Sequence, residues 1–143
     1  MQKVKKESRF INREISWLSF NERVLQEADD ERNPLLQRVR FLGIFSNNLD
    51  EFFRVRVATM RRLVDIGKQS KIVLGDMTPQ EVLDQIQKTV MSLQERFQSI
   101  YERLLRELDA VGVHVIDELQ LDSVQGPFAR DYFTSELSPL IVP

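Results

Sequence analysis

Residues 45–56 read FSNNLDEFFRVR, and the fold turns on whether one helix runs through them or two helices meet there. Two adjacent asparagines interrupt strong helix-forming sequence, and a helix interior gains little from asparagine. Before them, Leu35, Val39 and Leu42 form one apolar row with Phe41 and Phe45 alongside. After them the pattern restarts at Leu49, Phe52, Phe53, Met60, Leu63 and Val64. The restart predicts a break at Ser46–Asn48 and a new helix N-capped by Asn47 or Asn48, with Asp50 and Glu51 in a first turn that favours negative charge. A cap needs only one of the two asparagines.

Working outward, Asn33 and Pro34 read as the cap and first residue of the preceding helix. Its apolar arc is wide, which predicts deep burial. A first helix is expected to start near Ser16 or Ser19, since Ser19 and Glu22 have capping-box spacing. Trp17, Phe20, Val24, Leu25 and Ala28 give it an apolar face. Asp29 and Asp30 end it unfavourably for the helix dipole, so its last turn is expected to fray. Downstream, GKQSKIVLGDM (67–77) reads as a loop. Thr78, Pro79 and Glu81 then open the longest helix, and Val82, Ile86, Val90, Leu93, Phe97, Ile100, Leu104, Leu108 and Val111 follow at helical steps. Gly112 is placed to end it in a left-handed conformation. VHVI (113–116) is either a strand or an extended linker, and Asp122 is a candidate cap for a last short helix.

The totals exclude several classes. The chain has 143 residues, no cysteine and a net charge of −2. Disulfides and thiolate metal sites are therefore ruled out, and a nucleic-acid partner has no support from overall charge. No run approaches the ~20 apolar residues of a membrane span. The end, ELSPLIVP (136–143), stops on an apolar, proline-punctuated run, so a longer chain is expected to continue and cover it.

Candidate chemistry concentrates in one region. Residues 32–62 hold seven arginines (Arg32, Arg38, Arg40, Arg54, Arg56, Arg61 and Arg62) against two acids, Asp50 and Glu51, for a local charge of +5. Guanidinium groups suit phosphate oxygens, but a solvated basic face accounts for the same composition. Arg54 stands four residues after Asp50, the spacing of a surface ion pair. Arg56 falls on the apolar stripe of its helix, where a charge must be paired internally or meet a ligand or another domain. Arg54 and Arg56 are thus candidate phosphate or interdomain contacts. The single histidine, His114, has no conventional catalytic partner nearby. No residue is assigned a catalytic or metal-binding role.

The stretches SWLSFNERVLQEA, NPLLQRVRFLGIFSNNLDEFF and VRV, across residues 10 to 64, closely resemble the N-terminal helical domain of the long bacterial polyphosphate kinases. The later part, through FARDYFTSELSPLIVP, more loosely resembles the linking helix and the start of that family's head domain. The resemblance implies a parent enzyme that reversibly transfers the terminal phosphate of ATP to a growing polyphosphate chain, with magnesium, through a phosphohistidine. Nucleophile and metal site would lie in later domains; His114 does not match them, so the fragment alone is expected to be inert. The resemblance also implies that the second asparagine of SNNLDEF, Asn48, contacts ATP, which leaves Asn47 as the cap or turn former. A primary amide offers both donors and an acceptor to an adenine edge. The implied partners are ATP or ADP, inorganic polyphosphate, the remaining domains of the same kinase and further copies of it. The absence of cysteine, of a signal core and of a membrane span leads to the expectation of a soluble, cytoplasmic protein, with peripheral membrane association as a variant.

The fold expected is all-α: an antiparallel bundle of about four main helices over residues 1–112. Residues 113–143 are expected to be a linker and the start of an α+β head domain. The competing class is a non-enzymatic interaction module that pairs through the long fourth helix.

Overall fold

The computed structural model describes residues 11–67 and 77–141, which form two compact units, 1–107 and 108–143. Most of the expected loop at 67–77 lies outside the described residues. The all-α expectation holds, and no strand occurs among the described residues.

Helix α1 spans Arg13–Asp29. Its cap is neither Ser16 nor Ser19 but Asn12, whose side-chain oxygen accepts from the Glu14 amide at 2.9 Å. That bond satisfies one of the four orphan amides of the first turn. Ser19 lies inside the helix and donates its hydroxyl to the Ile15 carbonyl. The buried face also differs from expectation by about one position. Glu14, Leu18, Asn21, Leu25 and Ala28 are buried, whereas Phe20 is 56% exposed. The aromatic residues suggested a stripe that two buried polar residues in fact share. The helix runs to Asp29 without fraying; Arg103 pairs with that carboxylate, and the amide of Asp30 reaches the Gln26 carbonyl.

Helix α2, Leu35–Glu51, begins one residue later than expected, with Pro34 as the cap. Asn33 instead turns back to α1, donating to the Glu27 carbonyl at 2.9 Å and closing the connection. Leu42, Phe45 and Leu49 are buried, but Leu36 and Ile44 stay exposed, so burial is less complete than the wide arc predicts.

The break expected at Ser46–Asn48 does not exist. Regular helix continues to Glu51, Phe52–Val57 form a π-helical segment, and α3 follows at once as Ala58–Gly67. A single rod therefore runs from 35 to 67, and neither Asn47 nor Asn48 is a cap. The buried positions show why the sequence looked broken: Phe45, Leu49 and Phe52 step by four and three, then Val57 comes after five and Met60 after three. A π-turn admits one extra residue, so the apolar stripe slips by a position while the helix stays whole. The Ala58 amide reaches back to the Phe53 carbonyl. In the disturbed turn, the Thr59 hydroxyl donates to the Val55 carbonyl at 2.7 Å.

Helix α4, Pro79–Ala110, extends ~48 Å at ~1.5 Å per residue. Its start is the expected capping box: the Thr78 amide donates to Glu81 at 2.7 Å, and the Glu81 amide to the Thr78 hydroxyl at 3.3 Å. At its other end Gly112 has φ +82°. The Val113 and Gly112 amides donate to the carbonyls of Leu108 and Asp109, the double bond of a Schellman motif.

The four helices of the first unit, as expected in number, thus form three rods running up–down–up, because α2 and α3 are joined end to end through the π-segment. Its core joins Leu18, Leu25, Phe45, Phe52, Val57, Val82, Ile86, Leu93, Ile100 and Leu104. In the second unit, Asp122 accepts from the amides of Val124 and Gln125 at 2.8 and 2.7 Å, and Gln125 answers by accepting from the Asp122 amide. This reciprocal cap opens the short helix α5, Gln125–Tyr132. Residues 113–117 are neither helix nor strand.

Candidate functional site: the seam of α1 and the long rod

Among the contacts that tie α1 to the antiparallel rod, three side-chain pairs involve residues 45–56. Asn21 meets Asn48, Trp17 meets Phe52, and Glu14 meets Arg56. Moving toward the N-terminus of α1, partners move toward the C-terminus of the rod, as antiparallel packing requires.

Asn48 is half-buried and lies in the regular part of α2, four residues before the π-segment. Its Nδ2 donates to Asn21 Oδ1 at 3.0 Å. Asn21 is fully buried, and its own Nδ2 donates to the Phe45 carbonyl at 3.2 Å. A buried amide without partners would be costly, and this arrangement supplies them. One turn along, Trp17 and Phe52 stack with ring centroids 4.6 Å apart and planes 13° from parallel. That contact pins the rod against α1 immediately below Asn48. Asn47 is exposed.

Arg56 reaches Glu14 at 3.0 Å. Glu14 is only 3% exposed on its side chain, while Arg56 is 33% exposed. Internal pairing, one of the alternatives left open for Arg56, is what the fold provides, and the π-turn explains its partial exposure: Val57, not Arg56, takes the buried position after Phe52. Glu14 also accepts from Arg13 at 2.9 Å, so both its oxygens are engaged. Arg54 makes the expected surface pair with Asp50 at 2.5 Å. The other arginines divide. Arg38 is buried and binds Glu107 at 2.6 Å and the Ala28 carbonyl at 3.1 Å, a clamp between α4 and the end of α1. Arg32 holds Asp30 in the turn. Arg40, Arg61 and Arg62 are exposed and form no ion pair among the described residues.

A groove of about 380 Å³ lies between the rod and α4, lined by Phe53, Val57, Arg61, Gln80, Asp84 and Gln87 among others. Asn48 is not part of it. His114, in the second unit, pairs with Asp109 at 2.5 Å and is exposed. Among the described residues, no three His, Asp or Glu side chains converge as metal ligands, and no helix is long and apolar enough to cross a membrane.

Sequence reasoning missed Asn21 and Glu14. The signal was present: both fall on the Leu18, Leu25, Ala28 stripe, where a polar residue must find a partner.

Residues 10–116 match the family described as Polyphosphate kinase N-terminal domain. The chain is 43% identical over 137 residues to a polyphosphate kinase of Vibrio parahaemolyticus, a match covering 96% of this chain and 19% of that protein. It is 41% identical over 134 residues to that of Vibrio cholerae, covering 94% and 19%. With the Escherichia coli K12 polyphosphate kinase it shares 42% over 137 residues, covering 96% and 20%. The chain therefore spans about a fifth of the length of these curated relatives.

Proposed function

Because the chain belongs to the polyphosphate kinase family, as its N-terminal domain, we propose that it forms one wall of the nucleotide site of a longer kinase. Asn48 supplies that wall's hydrogen-bonding group. The parent enzyme transfers the terminal phosphate of ATP to polyphosphate through a phosphohistidine, and both nucleophile and magnesium belong to domains beyond this chain. The part of this chain's own residues is to bind and orient. With the nucleophile assigned to those later domains, the 143-residue chain alone transfers no phosphate.

The observation that carries this reading is the state of Asn48. It is half-buried on a regular helix, held by a buried partner, and yet retains hydrogen-bonding capacity that no described residue uses. Sites built on regular elements with such support hold geometry better than loops do. Arg54 and Arg56 are already paired within the domain. Their use toward phosphate or a neighbouring domain would require those pairs to open or be shared.

In the full-length kinase, Asn48→Ala is expected to raise KM for ATP roughly five- to thirtyfold, corresponding to a lost hydrogen bond of ~1–2 kcal/mol. The substitution also leaves the buried Asn21 Oδ1 without its donor, so a stability loss of ~1–3 kcal/mol accompanies it. Unchanged nucleotide affinity in the folded Asn48→Ala enzyme would refute the assignment.

A further inference from the structure

The two asparagines form a chain whose direction is fixed from the inside. Its innermost member is the Phe45 carbonyl, which can only accept. Asn21 is 0% exposed and bonds that carbonyl at 3.2 Å, so it must turn its NH2 toward Phe45. Its own carbonyl oxygen then faces Asn48, and Asn48 must answer with Nδ2, at 3.0 Å. Reversing Asn21 would set two oxygens against each other where no water can relieve them. The end of the chain is therefore Asn48 Oδ1. No protein group among the described residues bonds it, and the single unpartnered buried side-chain polar atom there is Arg103 Nε, so Asn48 Oδ1 reaches solvent.

We infer that Asn21 is a positioning residue that fixes which way round the Asn48 amide stands, presenting its carbonyl oxygen to the ligand so that it reads a hydrogen-bond donor on the nucleotide. This rests on the proposal that Asn48 contacts the nucleotide. Two donors on ATP have the required chemistry: the exocyclic 6-amino group of the base and the ribose hydroxyls. An amide free to rotate would accept either a donor or an acceptor at that point; one held from behind discriminates.

The test uses the full-length kinase and four nucleotides: ATP, inosine triphosphate, 2′-deoxy-ATP and 3′-deoxy-ATP. The wild type should show a KM roughly three- to tenfold higher for the analogue that lacks the donor being read, which identifies the source. Asn21→Leu leaves the Asn48 amide free to turn, so that ratio should collapse to within about twofold of unity, with kcat for ATP unchanged. Asn21→Asp keeps the acceptor for Asn48. Buried and protonated, it also donates to Phe45, so it should restore the wild-type ratio. A folded Asn21→Leu enzyme that keeps the full ratio overturns the inference while leaving the Asn48 contact intact. An Asn48→Ala enzyme with unaltered KM and ratio removes both. If Asn21→Leu does not fold, the wild type and Asn21→Asp decide. Equal KM values for all four nucleotides, or a preference for inosine triphosphate, overturn the inference; a donor preference kept in Asn21→Asp supports it.

Discussion

Glu14 and Arg56 differ in what each would lose without the other. Glu14 is sealed on α1 and Arg56 is one-third exposed on the π-segment. Removing the charge from Glu14 leaves an arginine that can turn to water. Removing Arg56 leaves a buried carboxylate with only Arg13, whose side chain is 80% exposed. Urea unfolding should therefore find Arg56→Leu destabilising by ~2–3 kcal/mol and Glu14→Gln by ~1 kcal/mol or less. The reverse order would mean that the pair is held by something other than the need to satisfy the buried acid. At this scale the sequence was half legible. The surface pair of Arg54 with Asp50 could be picked out from local spacing. The partners that give Asn48 and Arg56 their setting lie 27 and 42 residues away in sequence, and no periodicity connects residues across a helix pair.

Among the elements, the termini of α4 were readable because both caps are local: a Thr–Pro–x–Glu start and a glycine stop each satisfy backbone groups within a few residues. The rod from 35 to 67 was misread for an equally physical reason. A slipped apolar stripe has two causes, a new helix or one extra residue inside an old one, and hydrophobic pattern alone does not separate them. The link from α1 to α2 was misassigned by one residue because Asn33 and Asp30 both bond outside α2. Asp30 accepts from the Arg32 side chain, at 2.6 Å at its shortest, and from the Arg32 amide at 3.0 Å. The side-chain bond first, then the amide, lowers its pKa from 3.8 to about 2. A depressed acid stabilises the fold above its unfolded pKa, and that contribution is lost as pH falls through the folded value. The α1–α2 turn should thus keep this support above pH 3.8 and lose it as pH falls toward 2. Following the Arg32 amide by NMR against pH should give a midpoint near 2 that disappears in Asp30→Asn; a midpoint at the ordinary carboxylate value would show that the contact does not form in solution.

For the whole molecule, the apolar stripe of α4 bears on the choice between functions. Val82, Ile86, Val90, Leu93, Ile100 and Leu104 are all buried in the first unit's core. That leaves little of the stripe for the partner that a coiled-coil interaction module would need. The bundle instead presents the seam of α1 and the rod, where a buried amide supports a solvent-reaching one beside a Trp–Phe stack. Under the function proposed above, the seam is one side of a site completed by the rest of a longer kinase; this chain spans about a fifth of its relatives' length. The most direct test is the distance from Asn48 Oδ1 to the nearest donor of a non-hydrolysable ATP analogue bound to the full-length enzyme. The expected separation is about 2.7–3.2 Å, with Asn48 Nδ2 still on Asn21. A nucleotide bound beyond about 6 Å from Asn48, or an Asn48 whose nitrogen faces the ligand, would contradict the account.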